Sequence, residues 1–194
     1  VKFTPKDLKV SINEINGSFQ NIDTAFIASL KSIIENMQRY YKKELPKSWR
    51  VKYDNGSELG EIFRPIEKAG IYVPAGTVPL VSSVYMSVVP ARMAGVKKIV
   101  IATPPNKYGA VDPHILAVAN LLKVDEIYKV GGSQAIAALA FGTKTIPKVD
   151  KIVGPGNEYV TEAKRQVFGF VDIDMLAGPS EVVILANHFS DKSY

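Results

Sequence analysis

The chain has 194 residues, 46% of them hydrophobic and 22% charged, which fits a soluble globular protein of one domain or one domain plus part of another. No apolar run is long enough to cross a bilayer and there is no signal peptide, so no membrane partner is expected. With no cysteine, disulfides and thiolate metal sites are excluded and a cytoplasmic address is the default; His114 and His188, the two histidines, lie too far apart in sequence to build a His-rich site.

The formal net charge of +5 gathers in Arg39-Tyr40-Tyr41-Lys42-Lys43 and from Lys47 to Lys52. Basic residues among aromatics can touch nucleic acid. No nucleic-acid motif accompanies them, so they read instead as lysines closing a helix and lining a solvated loop. The first residue is Val1, and a core-strand pattern lies near the last, so the chain reads as a piece of a longer one.

In chain order, Asp23 to Lys43 places Phe26, Leu30, Ile33, Met37 and Tyr40 at helical spacing, with Asp23 as N-cap and Pro46 as terminator. Lys47 to Lys68 reads as strand and loop around the Asn55-Gly56 turn signal. From Gly70 the texture alternates between strand and helix. Ile71-Tyr72-Val73 is a strand, and a helix follows from about Val78 to Ala94, with Pro79 in its first turn and a kink or break expected at Pro90. Then come a strand at Lys98 to Thr103, a helix from Asp112 to Leu122, a strand at Asp125 to Val130 and a helix from Gln134 to Phe141.

The next segment organises the rest. Val149-Asp150-Lys151-Ile152-Val153 is a short strand, Gly154-Pro155-Gly156 a tight corner, and Asn157 the N-cap of a helix running to Gln166. On these residues alone the corner is either a seat for phosphate or carboxylate, or an ordinary capped turn. Asp172 and Asp174 read as solvated loop acids, and Glu181 to Ala186 as a final buried strand.

Apolar strands separated by helices imply a parallel sheet covered on both faces, with every strand-to-helix turn at one edge. Ligands in open parallel sheets bind at that edge. Its polar side chains would be Tyr72, Thr77, Ser133, Gln134 and Asn157, with Ser180 before the last strand. They suit nucleotide recognition better than acid–base catalysis. The dinucleotide fingerprint G-x-G-x-x-G is absent.

As a set, Gly70-Ile71-Tyr72-Val73-Pro74, Val130-Gly131-Gly132-Ser133-Gln134-Ala135, Gly154-Pro155-Gly156-Asn157, Val160-Thr161-Glu162-Ala163-Lys164-Arg165-Gln166 and Ala177-Gly178-Pro179-Ser180-Glu181 resemble histidinol dehydrogenase. The resemblance is dense from Gly70 to Ala186. It implies a Rossmann-like, aldehyde-dehydrogenase-like NAD-binding domain over 70–180, preceded by part of a second α/β domain over 1–69. Residues 181–194 would be a strand returning to that first domain. It further implies a two-step oxidation of L-histidinol to L-histidine with two NAD+, in a zinc-dependent homodimer when full length. By motif match, Tyr72, Gln134 and Asn157 fall on NAD-contacting positions and Ser180 on a substrate-contacting one. Ala75 stands where that family usually has a second glycine.

In the family the zinc ligands and a proton-moving Glu-His pair lie beyond the position matching Ala186. No catalytic and no metal-ligating residue is therefore assigned here, and the chain alone is expected to be inactive. Two other readings stand beside this one: a natural short protein that keeps a nucleotide pocket for regulation, and a folded remnant that associates through its first helix.

Overall fold

The structure is a computed structural model that describes residues 4, 7–75, 79–178 and 181–191. A five-stranded parallel sheet organises it, and the strand order is β5-β4-β3-β6-β7. The strands are β3 (Lys68–Tyr72), β4 (Lys98–Thr103), β5 (Glu126–Lys129), β6 (Lys151–Val153) and β7 (Asp172–Ile173). Ahead of them come α1 (Ile12–Gly17), α2 (Thr24–Glu44) and an antiparallel hairpin of β1 (Trp49–Lys52) and β2 (Glu58–Glu61). Helices α3 (Val81–Met93), α4 (Pro113–Leu121), α5 (Gly132–Phe141) and α6 (Glu158–Val167) connect the sheet strands.

Side chains along a strand alternate between faces, and the core divides accordingly. Ile71, Val73, Ile99, Ile101 and Ile127 pack with α3 and α4 in one cluster. Tyr72, Val100, Ala102, Tyr128 and Ile152 pack with α5 and α6 in the other. Both faces are covered, which explains why the strands read as apolar runs. The chain lays β3, β4 and β5 side by side in one direction, then returns to place β6 on the other flank of β3. The strand order reverses between β3 and β6, so the crevice at their C-terminal ends is the topological switch point.

The parallel α/β fold is the one expected, with local differences. The stripe of α2 that meets the core is Phe26, Ile27, Leu30, Ile34, Met37 and Tyr41, whereas Ile33 and Tyr40, also expected on it, are exposed. At 3.6 residues per turn the contact drifts from Tyr40 to its neighbour. Pro79 lies before α3, not inside it, because it is bridged to Ala75 in extended form. Helix α3 continues through Pro90 to Met93, so the expected break does not occur. Pro90 opens the last turn, where one missing hydrogen bond leaves little helix to disrupt.

Three elements were not expected: α1, β7, and residues 8–10, which pair with the outer edge of β5 through the Lys9–Tyr128 bridge. The strand expected over Glu181–Ala186 is not formed. Val182, Val183, Ile184 and Leu185 are 76–94% exposed. An apolar run becomes a strand only where a neighbouring ladder takes its backbone groups. None of the described strands pairs with it. No helix among the described residues is long and apolar enough to cross a membrane.

Candidate active-site rim

The rim is built on Tyr72, the last residue of β3. Its ring is buried in the α5–α6 core cluster, and its hydroxyl oxygen accepts the backbone N–H of Gly132 at 3.1 Å. That single bond ties the end of β3 to the first turn of α5, two strands away. Gly132 has φ +70°, a conformation that suits glycine, and the side chain of Gln134 folds over it.

On the other flank of β3, Gly154 follows β6 with φ +115°. A Cβ there would lie 2.1 Å from the carbonyl oxygen of Tyr72, so only glycine lets the two backbones approach this closely. Beyond it, Asn157 caps α6, its Oδ1 accepting the N–H of Val160 at 3.1 Å. Tyr72 thus gathers the turns after β3, β5 and β6 along one rim.

Gln134 and Asn157 are exposed on this rim, while Tyr72 is only 5% exposed. Accepting from Gly132 orients the phenol and leaves its own O–H proton with no acceptor among the described residues. Thr77 and Ser180, also expected at this edge, lie outside the described residues.

Two residues that the sequence reading passed over complete the turn. Lys164 is 4% exposed, on the buried stripe of α6 with Val160 and Val167. Its Nζ donates to the Gly154 carbonyl at 2.7 Å and to Asp174 Oδ1 at 2.5 Å. Asp174 Oδ2 in turn accepts the Gly154 N–H at 2.8 Å. Asp174 is exposed, as expected of a loop acid, but its carboxylate is held by Lys164 and two backbone N–H groups. The signal was available: a lysine seated between Val160 and Val167 at helical spacing must find partners for its ammonium. Asp172 is likewise exposed, and its hydrogen bond to Lys151 holds its carboxyl below the usual range.

A cleft of about 480 Å³ opens beside this turn, between Ser83, Met86 and Ser87 of α3 and Gly154, Gly156 and Thr161. A larger groove of about 620 Å³ runs along α3 past Phe63 and Ile66. It includes Ala69 and Val96 towards the strands' N-terminal ends, reaches Val153 and Asp174 beside the Gly154 turn, and its lining is mostly apolar. Among the described residues no three of His, Cys, Asp and Glu come together as metal ligands.

The family model for histidinol dehydrogenase matches residues 1–194. The chain is 49% identical over 189 residues to the histidinol dehydrogenase of Clostridium acetobutylicum, covering 97% of this chain and 44% of the relative. It is 52% identical over 188 residues to that of Carboxydothermus hydrogenoformans, with the same coverage of 97% and 44%. The crystal structure of histidinol dehydrogenase from Elizabethkingia anophelis superposes with a TM-score of 0.85 at 42% identity, covering 89% of this chain and 40% of that one. The chain spans less than half the length of the relatives it matches.

Proposed function

The chain belongs to the histidinol dehydrogenase family, and from that membership we propose that it is the NAD-binding part of an enzyme that oxidises L-histidinol to L-histidine. The reaction would pass through the aldehyde in two steps, with two NAD+, in histidine biosynthesis. The observation that carries this reading is the meeting of three strand-to-helix turns at the β3–β6 switch point, drawn together by Tyr72.

Each rim group has a distinct part. The N–H groups of Glu158 and Tyr159 precede the first intrahelical bond of α6 and face an incoming anion, such as a dinucleotide phosphate. The carboxylate of Glu158 opposes an anion there, but it is exposed and screened by solvent. Asn157 and Gln134 present carboxamides that donate and accept at once, and Tyr72 offers its hydroxyl proton from the floor of the rim. Bound NAD+ supplies the hydride acceptor. Ser180, by the family motif, would contact the substrate.

The chain by itself would bind nucleotide without turning substrate over. In support, the exposed rim side chains Gln134 and Asn157 are carboxamides, which bind but do not take up a proton near neutral pH.

The test is calorimetric titration of NAD+ into the wild type and Asn157→Asp. Aspartate keeps the N-cap, so the helix stays intact, but it places a negative charge where the phosphate would sit. The expected result is an affinity lower by about tenfold or more with the melting temperature preserved. Equal heats from the two proteins would remove Asn157 from the pocket.

A further inference from the structure

Lys164 and Asp174 meet directly beneath the Gly154 turn. Both polar groups of the Gly154 backbone are bound by this one ion pair: the carbonyl by Lys164, the N–H by Asp174. The pair closes on itself through Lys164 Nζ and Asp174 Oδ1, which also accepts the N–H of Met175 at 2.7 Å. Removing an ammonium from water is expensive, and a well-packed apolar pair of similar volume often serves stability as well or better. Stability alone therefore gives no reason for charges here. Geometry does. Two charge-assisted bonds fix the peptide planes on both sides of a glycine whose positive φ would otherwise leave it free to turn.

We propose that the Lys164–Asp174 ion pair is a positioning device for the Gly154-Pro155-Gly156 turn, setting where that turn and the start of α6 meet a bound dinucleotide. The inference rests on the nucleotide reading above and adds two residues to it. Neither is assigned a direct contact with the reacting atoms. Both line the cleft of about 480 Å³, and Lys164 is rooted on the same helix that Asn157 caps. The pair therefore links the backbone of the turn to the body of α6, so the two move together.

The test compares wild type with the double variant Lys164→Met/Asp174→Leu, which removes both charges and leaves apolar bulk. Three quantities are read: melting temperature, amide hydrogen exchange at Gly154, and NAD+ affinity by calorimetry. A purely structural pair would be replaced without consequence for binding once the fold is retained. A positioning pair predicts a folded variant with a lowered melting temperature, because the buried Gly154 N–H and carbonyl lose their partners, with Gly154 exchange faster by about a hundredfold and NAD+ affinity lower by about tenfold or more. Wild-type affinity in the folded double variant overturns the proposal, whatever the exchange rate does. If the wild type itself binds no NAD+, the nucleotide reading falls, and Gly154 exchange then decides separately. An unchanged rate overturns the clamp, and a faster one sustains it as a device of the turn. Should the double variant not fold, Asp174→Asn is read by the same criteria.

Discussion

The hydroxyl of Tyr72 accepts the backbone N–H of Gly132 at 3.1 Å, across the full width of β4. A side chain from the central strand thereby fixes the entry of α5, the helix that follows the edge strand β5. Tyr72→Phe keeps the ring in the core and leaves the half-buried Gly132 N–H without its acceptor. The expected loss is about 1 kcal/mol of stability, measured by urea denaturation. A weaker NAD+ titration should accompany it. An unchanged denaturation midpoint would mean that water replaces the phenol there without loss.

Gly154→Ala tests the other flank of β3. The added Cβ would meet the Tyr72 carbonyl oxygen at 2.1 Å, in a backbone conformation of φ +115° that alanine resists. Both faults must be relieved by moving the turn, at an expected cost of about 3 kcal/mol or more. Thermal unfolding would show it, and a variant as stable as the wild type would contradict the close approach of β3 and β6.

Thr103, the last residue of β4, is fully buried, and its hydroxyl has no hydrogen-bond partner among the described residues. Thr103→Val replaces that hydroxyl with a methyl group of the same shape. Stability should stay level or rise by about 1 kcal/mol, because an unsatisfied buried oxygen is removed. A clear fall in melting temperature would reveal a partner for the hydroxyl.

Acid should loosen the outer edge of the sheet. Burial pushes the Glu126 carboxyl up, but hydrogen bonds from Lys9 and Lys98, at 2.7 and 3.0 Å, outweigh it and hold the group below its ordinary value of 4.5. The folded state thus binds this proton less readily than the unfolded one. Its contribution is complete above the ordinary value and drains away as pH falls through the lowered one. Denaturation midpoints across that range should fall less steeply for Glu126→Gln than for wild type. Glu14, held down by Lys129 against the opposing effect of burial, adds to the same acid sensitivity.

The chain's local grammar was legible. An apolar run marked β4, Asp112 and Asn157 marked helix starts, and glycines marked the turns, because each depends on neighbours within a few residues. The Gly154–Asn157 corner could be singled out on that basis alone. Less was legible about Tyr72. Its place at the end of a strand was readable, but the bond to Gly132 spans 60 residues of sequence.

The sequence by itself therefore determined the alternation of strand and helix, and with it a parallel sheet whose turns share an edge. Tertiary structure alone decided that β6 returns to lie beside β3, which is what brings Gly154 against Tyr72. It also decided the pairing of Lys164 with Asp174, and that Val182 to Leu185, apolar as they are, stay exposed. The reason is the same in each case. Hydrophobicity and backbone preference are properties of a segment, whereas burial, a close approach or a shared proton requires a second segment whose position is set by the whole chain.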